Sequence, residues 1–267
     1  MITVRDIWSD IEAIRAQAPL VHNITNYVVM NTTANALLSI GASPVMAHAV
    51  DEVEEMAGLA SALVINIGTL SGPWIEAMFK AAGAALRKGI PIVLDPVGAG
   101  ATGLRTETSR RLMENARPTI IRGNGSEILA LGEAKGETKG VDSRHGAEAA
   151  LDAARAVSRK HGCVVSVSGA VDVIVGGDRT ILVANGHPMM PRVTGLGCTA
   201  TALTGAFAAV NPSPLYAAAH AMAVMGIAGE IAAEKAMGPG SFQMHFLDAL
   251  FVLCEDDIGS RLKIESV

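Results

Sequence analysis

The sequence predicts an α/β protein built on a mostly parallel sheet with helices packed on it. Two observations carry this expectation. Short runs rich in Val and Ile alternate with stretches of helical composition along most of the chain, the rhythm of βαβ units. Half of the residues are hydrophobic but only 3% are aromatic, so the apolar mass is Ala, Val, Ile, Leu and Met, as in strands buried on both faces. A chain of 267 residues can bury a sizeable core. No linker, low-complexity tract or internal repeat divides residues 1–267, which are read as a single domain.

Taken in order, Ala62–Ile67, Pro91–Asp95, Thr119–Arg122 and Cys163–Val167 read as buried strands. Between them Trp74–Lys88, Thr106–Asn115 and Gly146–Lys160 are helical in composition. Val171–Val175 and Thr180–Val183, joined by Gly176-Gly-Asp-Arg179, read as an antiparallel hairpin. From Cys198 to Lys235, and again from Phe242 to Glu255, the pattern is helical.

Charge and cysteine usage exclude several classes. A net charge of -5, with no basic run and no aromatic–basic interleaving, gives no reason to expect nucleic acid. Mean hydropathy is positive, at +0.36, yet no uninterrupted apolar run of about 20 residues stands out as a membrane span. The first ten residues carry acids and no apolar core, so no signal peptide is expected there. Cys163, Cys198 and Cys254 are far apart and form no Cys-x-x-Cys pair, which points to a reducing, cytoplasmic setting.

In open α/β sheets, ligands bind beyond the carboxyl ends of the strands. Those positions here hold Asn66-Ile-Gly-Thr69, Asp95-Pro-Val-Gly-Ala-Gly100, Asn124-Gly-Ser-Glu127 and Ser166-Val-Ser-Gly169. A proline-rich turn then leads to Thr194-Gly-Leu-Gly-Cys198. Glycines, small hydroxyls and two acids therefore collect at one predicted edge. Gly195 and Gly197 allow a tight turn and close approach to a ligand, and the helix expected to begin near Cys198 would aim its free N–H groups at the same spot. Such a place suits a phosphoryl group.

Each feature also has a plainer reading. A Gly-x-Gly turn before a helix is often only a connection. The dinucleotide fingerprint across Gly195, Gly197 and Ala200 lacks both a clean preceding strand and an acid about 20 residues on. No Gly-x-x-x-x-Gly-Lys-Ser/Thr is present. Asp95 and Glu127 suit Mg²⁺ held through water, while Asn124 and Glu127 also have the spacing of a helix cap. Cys198 is open to three roles, a buried small residue, a nucleophile or a base, and a helix N-terminus there favours a thiolate. The polar stretch His22, Asn23, Thr25, Asn26 and Asn31 is either a set of helix caps or a pocket wall. Met46 sits on a short apolar run.

Taken together these segments resemble the hydroxyethylthiazole kinases of the ribokinase-like family. The resemblance rests on Val21-His-Asn-Ile-Thr-Asn-Tyr27 with Asn31, Gly41-Ala-Ser-Pro-Val-Met46, Asn66-Ile-Gly-Thr69, Leu94-Asp-Pro-Val-Gly-Ala99, Gly123-Asn-Gly-Ser-Glu127 and Gly195-Leu-Gly-Cys198. It implies a three-layer fold with helices on both faces of the sheet. It also implies transfer of the γ-phosphoryl group of ATP, with Mg²⁺, to the alcohol of a hydroxyethylthiazole destined for thiamine phosphate. By that likeness Arg122, Ser168 and Asn124 would contact ATP, and Asp95 and Glu127 would organise the metal. Met46, Gly195 and Asn23 would contact the thiazole. The backbone from Gly195 through Leu196 and Gly197 to Cys198 would form the anion hole, with Cys198 where fold relatives carry an aspartate base. Leu196 and Ser168 depart from the pattern, threonine being expected at both. A homotrimer with its sites between subunits is implied as well. A kinase for another small alcohol, a repair hydro-lyase of the same fold and an inactive binding module are the rival readings.

Overall fold

The computed structural model describes residues 2–132 and 143–267. The first half runs α1 (Val4–Gln17), β1 (Leu20–Ile24), α2 (Met30–Ile40), β2 (Ser43–Val45), α3 (Val53–Leu59), β3 (Ala62–Asn66), α4 (Gly72–Lys88), β4 (Ile92–Asp95), α5 (Gly103–Ala116), β5 (Ile120–Asn124) and α6 (Gly125–Gly132). The second half runs α7 (Ser143–His161), β6 (Val164–Ser168), β7 (Asp172–Gly176), β8 (Arg179–Val183), α8 (Leu196–Val210), α9 (Pro214–Lys235), α10 (Pro239–Val252), α11 (Glu255–Arg261) and β9 (Ile264–Ser266).

The strands form one sheet in the order β2-β1-β3-β4-β5-β6-β7-β8-β9. Neighbours from β2 to β6 are parallel, and β6 to β9 are antiparallel. Alternation along each strand splits its side chains between two cores. Val21, Val64, Val93, Ile120, Ile174 and Ile181 face the core formed with α1, α2 and α8 to α11. Leu63, Ile65, Leu94, Ile121, Val165 and Val175 face the core formed with α3 to α7. The result is three layers, helix–sheet–helix, as the resemblance implies. The strand order reverses at β1, where β2 lies on one side and β3 on the other, and it is beside such a switch point that open α/β sheets bind ligands.

Four strands and the hairpin lie where the sequence pattern puts them, within a residue or two. The segment around Asn23 differs from the cap reading: His22 and Asn23 lie on the buried strand β1, whose polar residues disguised it. The helix expected near Cys198 begins at Leu196, with Gly195 as its cap. The hydropathy reading also needs correction, because α9 is long and apolar enough to cross a membrane by length and composition. It is 83% buried inside the protein, where it forms the centre of one core. Cys163, Cys198 and Cys254 are all free thiols.

Candidate active site

Every strand from β1 to β6 delivers its carboxyl end to the same edge of the sheet. Asn26 follows β1, Met46 follows β2, and Asn66, Asp95 and Asn124 end β3, β4 and β5; Ser168 ends β6. Helix α8 points its N-terminus into this row. Gly195 adopts φ +86°, a left-handed conformation that glycine takes without strain, and a Cβ there would lie 2.8 Å from Val29 Cγ1. The first intrahelical bond runs from Thr199 N–H to Gly195 O at 2.8 Å. The N–H groups of Leu196, Gly197 and Cys198 precede that bond in the helix and have no helical acceptor. A Cβ on Gly197 would lie 3.0 Å from Arg122 Nη1, so the guanidinium packs against the first turn of α8 at Gly197. Backbone donors, helix dipole and a buried arginine thus converge on one point.

A hydrogen-bonded chain crosses the floor of the site. Asn26 Nδ2 donates to Cys198 Sγ at 3.5 Å and to Asn66 Oδ1 at 2.9 Å. Asn66 Nδ2 donates to Asp95 Oδ2 at 2.8 Å, and Thr201 Oγ1 donates to the same oxygen at 2.7 Å. The loops that carry these residues are clamped by Arg105, whose guanidinium donates to the carbonyls of Ile67, Val97 and Gly68. Gly68 is required under Asn26, because a Cβ would come within 2.6 Å of its Nδ2. Sequence reasoning noticed Asn26 and Asn66 but not their contact. Their 40-residue separation gives no local signal, and only the pairing of β1 with β3 brings them together.

Burial dominates the electrostatics. Asp95 is 1% exposed, and its carboxyl is pushed up to about 6 by burial, against the pull of Arg122 and the Thr201 hydrogen bond. Burial also pushes the Cys198 thiol up to about 11, helped by the Asp95 charge and opposed by Asn66, Asn26 and Arg122. The low-pKa thiolate expected at a helix N-terminus is therefore corrected. Loss of water around the sulfur outweighs the favourable field there, and the thiol is protonated at neutral pH.

Asn124 and Glu127 form a reciprocal cap: Glu127 N–H donates to Asn124 Oδ1 at 3.0 Å, and Asn124 N–H donates to Glu127 Oε2 at 2.8 Å. Glu127 Oε1 also accepts from Gly98 N–H at 2.9 Å, which ties the loop after β4 to α6. Ser168 Oγ donates to Gly123 O at 3.4 Å. Asn23 is 1% exposed and its amide donates back to Val21 O, leaving Oδ1 buried without a partner. Of the two asparagines it is Asn26 that reaches Cys198. Met46 is half-buried at the end of the edge strand β2. The segment behind it is fixed by His22, whose Nε2 lies 2.8 Å from Ala47 O; burial keeps this imidazole below its ordinary value and so neutral. Among the described residues no group of three or more His, Cys, Asp and Glu side chains could hold a metal ion by itself.

Comparison with known proteins agrees with this geometry. The profile of the hydroxyethylthiazole kinase family matches residues 11–256. A hydroxyethylthiazole kinase of Syntrophus aciditrophicus is 62% identical, covering 98% of both chains. One from Nitratidesulfovibrio vulgaris strain Miyazaki F is 60% identical over 97% of both chains. The solved structure of the hydroxyethylthiazole kinase protein from Pyrococcus horikoshii OT3 superposes with a TM-score of 0.91, at 47% identity, over 98% of this chain and 99% of that one. A Staphylococcus aureus pyridoxal kinase in complex with AMP-PCP shares the fold at 16% identity, with a TM-score of 0.60, over 80% of this chain and 88% of that one. With the glycine-capped α8 at the carboxyl edge of the sheet and a family match across nearly the whole length, the chain belongs to the hydroxyethylthiazole kinase family.

Proposed function

We propose that this chain transfers the γ-phosphoryl group of ATP to the primary alcohol of 4-methyl-5-(2-hydroxyethyl)thiazole, giving the thiazole phosphate used for thiamine phosphate. The observation that carries the reading is the meeting of Cys198, Arg122 and the free N–H groups of α8 at one point. Phosphoryl transfer requires positioning and neutralisation of charge on the transferring oxygens more than covalent participation by the protein. The N–H groups of Leu196, Gly197 and Cys198, with Arg122, meet that need. Arg122, Ser168 and Asn124 form the nucleotide side. Met46, Gly195 and Asn23 form the thiazole side, joined by Asn26. The thiolate form of Cys198, a minor species at neutral pH, receives the alcohol proton as the oxygen attacks phosphorus.

The residues present fit a Mg²⁺ ion. Both protein hydrogen bonds to Asp95 end on Oδ2, which leaves Oδ1 for a hydrated cation, and Glu127 stands in the first turn of α6, just past the next strand. Mg²⁺ bound there would neutralise the phosphate oxygens, while Asp95 and Glu127 orient its water shell. The assembly is read as a homotrimer with sites between subunits, a reading supported by exposed Tyr27 and Val28 beside the site and by Met46 on an edge strand. A cytoplasmic location is supported by the three free cysteines.

The test is ATP-dependent phosphorylation of a panel holding the thiazole alcohol, hydroxymethylpyrimidine, pyridoxal and ribose. Preferred turnover of the thiazole alcohol is expected. Turnover of another member without it would overturn the reading.

A further inference from the structure

Asp172 belongs to none of the motifs above, yet it lies at the same edge of the sheet. It opens β7, is 7% exposed, and its Oδ1 accepts from Gly169 N–H at 3.0 Å, which closes the turn between β6 and β7. Strand register fixes what it faces. Arg122 pairs with Ser166 and Asn124 with Ser168 across β5 and β6, while Ser166 pairs with Ile174 across β6 and β7. Asp172, two residues from Ile174, therefore projects onto the same face as Arg122 and Ser168. This is the face covered by α8.

Arg122 is 8% exposed, and a buried guanidinium is unfavourable unless it is paired. Neutral groups do not fix it along its whole length, since its Nε and the Oγ of the register-paired Ser166 are both buried without hydrogen-bond partners. Carboxylates lie to either side of it along the sheet, Asp95 from β4 and Asp172 from β7; neither makes a direct ion pair with it, and the Arg122 charge favours the ionised form of both. Asp95 is already bonded to Asn66 and Thr201.

Resting on the kinase reading above, we propose that Asp172 is a positioning residue for the nucleotide. Its carboxylate steadies the Arg122 guanidinium near the N-terminus of α8 through charge, without direct contact, and fixes the turn that carries Ser168. Both nucleotide contacts are then set before ATP arrives, which reduces the ordering that binding must supply.

Asp172→Asn keeps the amide oxygen that can accept from Gly169 but removes the charge. On the full-length chain the expected result is a folded protein whose affinity for ADP, measured by calorimetry without acceptor alcohol, falls about tenfold. KM for ATP rises in step, and KM for the thiazole alcohol stays within about twofold. In the Arg122→Lys background the same substitution adds little further loss. Unchanged ADP affinity in folded Asp172→Asn protein, or full additivity with Arg122→Lys, would overturn the proposal. Asp172→Glu separates charge from turn: it keeps the charge on a longer arm, and ADP affinity within about threefold of wild type is expected. A tenfold loss there would assign the effect to the turn and overturn the proposal as well. Turnover of the thiazole alcohol by the wild-type chain, followed in parallel, reports separately on the substrate reading.

Discussion

At the scale of residues, the role proposed for Cys198 is to take the proton from the alcohol. A thiol held near 11 is almost wholly protonated at neutral pH, so a rate that depends on its ionised form rises steadily with pH. Wild-type kcat is expected to climb from pH 7 to beyond 9. Cys198→Ala should lower kcat by about 10²-fold or more, the scale of general-base catalysis, with the KM for ATP nearly unchanged. Cys198→Asp should keep activity and flatten the alkaline climb, because a carboxylate is ionised already. A wild-type profile that is flat over this range would take the proton transfer away from the sulfur. Asn26→Ala removes a donor to Cys198 Sγ and is expected to lower the rate at each pH while leaving the slope of the climb unchanged, read in the same assay. The chemistry-bearing types at the sheet edge were legible in the sequence because each ends a strand or opens a helix. The field around them was not. The raised thiol follows from burial at a place where the helix terminus alone argued for the opposite shift. Asp172 was hidden for a related reason: it lies inside a run that reads simply as a strand.

At the scale of elements, α8 couples the core to the anion site. Its closeness to the sheet depends on Gly205, where a Cβ would lie 2.6 Å from Val64 Cγ2 and 3.3 Å from Val21 Cγ1. Both valines belong to the packed face of central strands, so Gly205→Ala forces α8 outward or the strands apart. Overpacking of this kind costs about 1–3 kcal/mol, to be measured by urea denaturation. The same displacement lifts Leu196, Gly197 and Cys198 from Arg122, so kcat should fall more than stability alone predicts. Normal kcat in the destabilised variant would show that α8 yields at its far end only. Gly195→Ala combines a left-handed backbone with a 2.8 Å approach to Val29, and a larger loss of kcat is expected there in the same assay. The central parallel strands and their helices were legible because their periodicity is strong. Strand β1 was not, since His22 and Asn23 interrupt its apolar pattern, although it is buried on both sides. Strands β2 and β9 are three residues each, too short to show a period.

At the scale of the whole molecule, the site is built at the expense of stability. Asp95 and Asp172 are buried carboxyls raised from 3.8 to about 6. Between those values the folded chain holds more protons than the unfolded one, so their contribution to stability falls as pH rises and levels off above about 6. Each group accounts for at most about 3 kcal/mol, since a tenfold change in a protonation equilibrium is worth about 1.4 kcal/mol. Together they account for less than twice that, because both answer to Arg122. Other carboxyls act in the opposite sense: Asp6, bonded to Thr3, and Glu230, bonded to Lys263, Gly186 and Asn185, are lowered and favour folding as pH rises. The difference between wild type and Asp172→Asn isolates one group from this background. In urea melts without added metal, the variant is expected to gain stability relative to wild type from pH 4 to pH 6.5, then run parallel to it. A constant difference across that range would mean that Asp172 keeps an ordinary carboxylate pKa, with Arg122 fully offsetting its burial. A gain that appears only without ADP, and vanishes when nucleotide is bound, would mean that the phosphates outweigh the carboxylate in holding the arginine.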